Sequence, residues 1–211
     1  MKRRSFLITL AGASMLTFGG LEFAAFAAST PEELLQPGPL TEMSFGSSEA
    51  PVVVIEYASL TCGHCRNFHV NVWPAFKEKY VDTGKVRFIM REFPFDPRAT
   101  AGFMLARCSG DDKWYPVVDL LYRSQDKWAR VADATAALKS LMGMTGMKGA
   151  DVEACLQDQT LLQKITSIAE RGKSLGVDST PTFFVNGAMY RGVLELDRFS
   201  EIVDPLLGGA K

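Results

Sequence analysis

Histidine is scarce in this chain: His64 and His69 are its only two in 211 residues. Cysteine is scarce as well. Cys62 and Cys65 make one Cys-x-x-Cys pair, while Cys108 and Cys155 stand alone. A structural zinc site takes four ligands, commonly two such pairs or one pair plus two histidines. One pair with His64 inside it and His69 four residues beyond does not meet that need, so no metal is expected. There is no basic surplus either. The 23 Lys and Arg are balanced by 24 Asp and Glu, for a net charge of −1. Without excess cations to displace counterions from phosphates, nucleic acid is excluded as a partner. Internal repeats, low-complexity segments and composition breaks are all missing. What remains, 47% hydrophobic, suits one globular domain with a proper core.

The first apolar run, from Phe6 to about Phe18, is short for a membrane span and follows Lys2, Arg3 and Arg4. Ala25-Phe26-Ala27 then supplies small residues around a cleavage point. This is the pattern of an export signal over residues 1–27, with a mature chain starting near Ala28 and a net charge moved from −1 to −3. The stretch "RRSFL" resembles a twin-arginine signal, but ordinary secretion signals also begin with arginines, so the route stays open. Either route implies a bacterial cell envelope, where disulfides form and persist. The expected location is the periplasm of a Gram-negative bacterium.

Residues 28–41, rich in Pro, Glu and Thr, read as an extended lead-in. The nearly continuous apolar run "VVVIEYAS" (52–59) predicts a strand buried on both faces. Over 62–84, Phe68, Val72, Phe76 and Tyr80 recur every four residues and predict a helix, kinked by Pro74 and ended by Gly84. A second strand follows at 86–93. The order strand, helix, strand predicts a parallel pair joined by a right-handed crossover, with CGHC at the helix N-terminus. Residues 97–176 carry helical spacing throughout and read as a helical insertion. Strand signals return at 181–193, where Asn186-Gly187 between two apolar runs predicts a two-residue hairpin. Residues 195–207 close with an amphipathic helix.

A Cys-x-x-Cys pair holds a metal, locks a loop or moves electrons. Zinc lacks ligands here. A structural disulfide across so tiny a loop gains the least from cross-linking. A redox-active dithiol fits the location best. A helix N-terminus presents unpaired N–H groups and the positive end of the macrodipole, both of which stabilise a thiolate on Cys62. His64 can add a donor or a positive charge, Gly63 leaves room for close approach, and Cys65, one turn on, is less exposed and able to resolve a mixed disulfide.

CGHC after a buried strand resembles the thioredoxin superfamily. A helical insertion before a Thr-Pro strand, with "GVDSTPTFFVNG" (176–187) and "REFPF" (91–95), resembles the DsbA-type periplasmic thiol:disulfide oxidoreductases over 42–207. The resemblance implies an α/β thioredoxin fold, with a first part at 42–96, the insertion at 97–176 and a second part at 177–211. It implies Cys62 as nucleophile, Cys65 as resolving cysteine and Pro181 as a cis-proline facing them. Thr180 would offer its backbone to an extended substrate peptide. Glu56, six residues before Cys62, would be an acid assisting proton transfer, the other reading being a solvated strand-end Glu.

Cys108 and Cys155 both fall on apolar faces of the insertion, beside Leu105 and Leu156. In an oxidising compartment they are expected to form a structural bridge that stabilises by roughly 4 kcal/mol on the chain-entropy estimate. The other reading is two buried thiols acting as small hydrophobes. The methionines of "LMGMTGM" (141–147) fill core gaps or form an adaptable rim.

The expected function is donation of the Cys62–Cys65 disulfide to reduced or unfolded exported polypeptides. The expected enzyme is a monomer that needs no cofactor beyond its own dithiol, reoxidised by a quinone-linked membrane partner of the DsbB type. The alternatives are a reductase or isomerase of the same superfamily, or a peptide-binding holdase.

Overall fold

The structure is a computed structural model that describes residues 31–208. The expected export signal at 1–27 lies outside the described residues, as do the first residues of the lead-in. None of the described helices is long and apolar enough to cross a membrane.

The lead-in departs from the extended form expected of it. Pro31–Leu35 makes a short helix, α1. Proline at a first helical position loses no hydrogen bond, and Glu32 and Glu33 favour the positive end of the turn. The turn also has something to bury. Leu34 is 1% exposed against Ile55, Tyr57 and Phe184 on the underside of the sheet.

Five strands form one mixed sheet in the order β1-β3-β2-β4-β5. They are β1 (Met43–Phe45), β2 (Val52–Ala58), β3 (Val86–Glu92), β4 (Thr182–Val185) and β5 (Ala188–Arg191). β2 pairs in parallel with β3 and antiparallel with β4, which makes it the central strand. Its alternation sends Val52, Val54 and Ala58 into one core and Ile55 and Tyr57 into another, so the continuous apolar run is explained by burial on both faces. Glu56 shares the first face. β4 and β5 form the expected hairpin, with Asn186 and Gly187 both at positive φ, as a tight two-residue turn requires.

The segment after the CGHC start is helical but not a plain α-helix. α2 (Gly63–Asn67) and α3 (Trp73–Phe76) each continue into a five-residue π turn, at Phe68–Val72 and Lys77–Val81. Pro74 sits in the first turn of α3 and cannot donate to the preceding turn. The π geometry before it takes up that missing bond, with Trp73 N–H reaching Phe68 O. The apolar stripe survives, and Phe68, Val72, Phe76 and Tyr80 are all buried.

Six helices fill the insertion: α4 (Pro97–Cys108), α5 (Asp111–Arg123), α6 (Gln125–Trp128), α7 (Ala134–Met144), α8 (Gly149–Gln157) and α9 (Gln159–Ser174). α10 (Leu196–Gly208) ends the described fold. The insertion is not a separate body. Trp114, Leu121, Tyr122 and Trp128 share one continuous core with Phe68, Phe88 and Phe183. Of the methionine cluster, Met142 is fully buried and Met144 is 75% exposed.

α9 crosses under β2 at Gly172, where a Cβ would lie 2.8 Å from Tyr57 Cε1 and 3.0 Å from Phe93 Cδ2. Both rings are fully enclosed and cannot yield. Gly172→Ala is expected to destabilise by about 1–3 kcal/mol through overpacking, despite alanine's better helix propensity. Gly143→Ala, in open space on α7, is expected to raise stability by up to about 1 kcal/mol. Urea unfolding of the two variants checks both signs.

Candidate active site

The dithiol sits where the central strand hands over to its helix. Cys62 is the N-cap of α2, in extended geometry, and its Sγ accepts the Cys65 N–H at 3.4 Å. Across from it, the Thr180–Pro181 peptide bond is cis, and the Thr180 carbonyl accepts the Cys62 thiol at 3.3 Å. Phe68, a turn beyond Cys65, packs edge-on against Phe183 of β4, with centroids 4.9 Å apart. That contact ties the dithiol helix to the strand carrying Pro181. Both cysteines are free thiols, Cys62 partly exposed and Cys65 fully buried.

The two thiols are pushed in opposite directions. Cys62 falls from its ordinary 9.0 to about 5. The largest cause is the hydrogen bond from the Cys65 side chain, and the backbone N–H groups of Cys65 and His64 add to it against the cost of burial. The Thr180 side chain is a further cause that lowers it, while the Thr180 carbonyl, an acceptor, works for the thiol form. Cys65 is raised well above 9.0, first by burial, then by its bond to Cys62 and by the negative charges of Cys62 and Glu56. Gly63 and His64 are both exposed at the opening, and nothing lies within 4 Å of where a Gly63 Cβ would be. His64 therefore contributes a backbone donor, and its ring faces solvent.

Glu56 is fully buried rather than solvated. Its Oε2 pairs with His69 Nε2 at 2.8 Å, while Oε1 has no partner. His69 Nδ1 meets Tyr115 Oη at 3.1 Å, and the ring stacks on Tyr122 at 4.7 Å. Burial raises both tyrosines far above their ordinary value, so they keep their protons. One neutral tautomer satisfies the row: Tyr115 donates to Nδ1, and Nε2–H donates to the Glu56 carboxylate. The sequence singles out His69 only as a poor zinc ligand. Its place four residues after Cys65, on the inward face of the same helix, is the signal that could have paired it with Glu56.

A second support has no sequence signal at all. Gln125, on α6, donates through Nε2 to both Leu60 O (2.8 Å) and Cys62 O (3.0 Å). Thr61 donates to Asp96, the N-cap of α4, at 2.5 Å. Cys108 and Cys155 are joined as a disulfide. Among the described residues no group of three or more His, Cys, Asp or Glu could hold a metal.

A family model described as thioredoxin matches residues 39–205. A relative from Rickettsia typhi, provisionally named a protein-disulfide oxidoreductase, is 32% identical over 171 residues, covering 79% of this chain and 62% of its own. The chain thus spans less than two thirds of that relative's length. A Bacillus cereus protein named "Probable disulfide bond formation protein D" is 31% identical over 155 residues, covering 70% of this chain and 71% of its own. The crystal structure of alpha-DsbA1 from Wolbachia pipientis superposes with a TM-score of 0.76 at 34% identity, over 85% of this chain and 96% of that one.

The lowered thiol couples stability to pH. A folded-state value of about 5 against an unfolded 9.0 gives the dithiol form stability that is complete above pH 9, drains away as pH falls towards 5 and is gone below it. The disulfide form has no Cys62 thiol to titrate. The melting temperature of the dithiol form relative to the disulfide form is therefore expected to climb steadily between pH 5 and 9. Parallel melts of the two forms check the slope.

Proposed function

The chain belongs to the thioredoxin family, in its DsbA-like branch of protein-disulfide oxidoreductases, and from that premise we propose that it is an oxidase donating the Cys62–Cys65 disulfide to reduced exported polypeptides. The observation that carries the proposal is the split between the two thiols, one held near 5 at a helix N-terminus and the other buried and raised. A stabilised Cys62 thiolate is a good leaving group and makes the dithiol the favoured state of the enzyme. Both effects draw electrons from substrate to enzyme.

In the proposed cycle a substrate thiolate attacks Cys62 Sγ. The Cys62–Cys65 bond breaks and Cys65 departs into a buried site that disfavours its charge, so it needs a proton. Glu56 is the group assigned to supply it, carrying the proton before the step and left as the carboxylate after it. Its oxygen Oε2 is held by His69, which leaves Oε1 as the unpartnered oxygen of that carboxyl group. A second substrate thiolate then attacks the substrate sulfur of the mixed disulfide, and Cys62 leaves as a thiolate. Gly63 keeps the approach open, and His64 tunes Cys62 through its backbone donor and exposed ring. The Thr180 backbone beside cis Pro181 would pair with an extended substrate segment.

The Cys108–Cys155 bridge is assigned a structural role. Reoxidation is assigned to a quinone-linked membrane partner of the DsbB type, and the setting to the periplasm. A reductase or isomerase would run the same exchange with the opposite balance.

Cys65→Ser is expected to accumulate mixed disulfides through Cys62 when mixed with reduced substrate proteins, and Cys62→Ser to form none. Non-reducing gels with mass mapping of the linked cysteine check this; full turnover by Cys65→Ser would refute the assignment of roles. Glu56→Gln is expected to slow disulfide donation at least tenfold while leaving the Cys62 thiolate absorbance titration near pH 5, since Glu56 is not among the causes that lower Cys62.

A further inference from the structure

The second pair of cysteines is built as an acceptor for the first. We infer that the reduced Cys108 and Cys155 of a second copy of this chain are a substrate of the Cys62–Cys65 disulfide, so that the protein installs its own insertion bridge between molecules. The inference rests on the oxidase reading above and names one substrate for it.

Access and order come first. Cys108 is exposed and Cys155 is 5% exposed, and both line an open cleft of about 610 Å³. A partner sulfur can reach Cys108, while Cys155 stands behind it with Cα atoms 6.2 Å apart, within ordinary disulfide reach. This repeats the exposed-then-buried arrangement of Cys62 and Cys65.

The direction of transfer follows from helix ends. Cys62 caps the N-terminus of α2, where N–H donors favour a thiolate. Cys108 is the last residue of α4, and Cys155 lies in the last turn of α8. Both face the negative ends of their helices, and Asp151 and Asp158 line the same cleft against Lys113 alone. Thiolates are disfavoured there and the disulfide is favoured. The bond is therefore expected to pass from the first pair to the second.

The transfer runs between molecules. Asp96, the N-cap of α4, bonds to Thr61 beside Cys62, and Cys108 closes the same helix 12 residues on. At 1.5 Å per residue the two sites stand about 18 Å apart along α4, out of reach of one another.

In the step itself, the Cys108 thiolate of the acceptor attacks Cys62 Sγ of the donor. A Cys62–Cys108 bond forms, the Cys62–Cys65 bond breaks, and Cys65 takes a proton. The acceptor's Cys155, deprotonated, then attacks its own Cys108 Sγ, and donor Cys62 leaves as a thiolate. Two electrons pass to the donor, and the acceptor releases its two thiol protons.

The test mixes two variants without oxygen. The donor is the oxidised Cys108→Ser/Cys155→Ser chain, and the acceptor is the reduced Cys62→Ser/Cys65→Ser chain. Alkylation and mass analysis follow both, alongside a reduced unfolded model protein as a second substrate. The expected result is one bridge formed per donor reduced, at a rate that rises tenfold with a tenfold rise in donor. Cys155→Ser in the acceptor should trap a Cys62–Cys108 heterodimer. Reduced full-length chain seeded with oxidised donor gives the same readout without loss of the active cysteines. If the donor oxidises the model protein but leaves the acceptor's thiols free, or the bridge forms at a rate independent of donor, the inference falls and the oxidase reading stands. If the donor oxidises neither, both fall.

Discussion

A sulfur atom at the first amides of a helix is the constraint on which the rest of this molecule depends. Cys62 can act as a helix cap only because β2 delivers it, in extended geometry, to the start of α2. The N–H donors there favour a charged sulfur, and on the proposed reading they favour the dithiol over the disulfide. Cys65 carries the opposite burden, enclosed and pressed by two neighbouring negative charges. The asymmetry between two residues three apart comes from helix geometry, not from any difference in residue type.

The helical insertion is part of this arrangement rather than an appendage. α5 brings Tyr115 and Tyr122 onto His69, and α6 brings Gln125 onto the carbonyls of Leu60 and Cys62. A buried carboxylate without partners is costly, and the His69 and Tyr115 row makes Glu56 tolerable beneath the dithiol. The carboxyl side chain on the central strand is thus held by His69, 13 residues further along, which is itself held by Tyr115, a further 46 residues on. At the far end of α4, the Cys108–Cys155 bridge closes the same insertion. One chain therefore holds two cysteine pairs at opposite helix poles, and on the proposed reading one gives up its bond and the other keeps it.

Much of the architecture was legible because it is local. The both-sides-buried run of β2, the stripe from Phe68 to Tyr80 and the Asn186-Gly187 turn each signal their own structure within a few residues. The dithiol's place was legible for the same reason, since it follows from the strand-to-helix junction. The short helix α1 was missed because the contact that buries it, Leu34 under the sheet, is made across the chain. The π turns were missed because a four-residue stripe is compatible with both geometries until Pro74 removes a donor. Gln125 and the His69 pairing were illegible for a different reason. Their partners lie tens of residues away or on another element, and nothing in a lone Gln or His announces which carbonyl or carboxylate it will meet.

On the proposed reading, geometry at Cys62 makes the dithiol the favoured state. The equilibrium of the Cys62–Cys65 pair with glutathione measures that directly. The expected potential is less negative than roughly −180 mV, so that the pair stays reduced until the buffer is strongly oxidising. A value near about −270 mV, where reducing members of the superfamily sit, would contradict it.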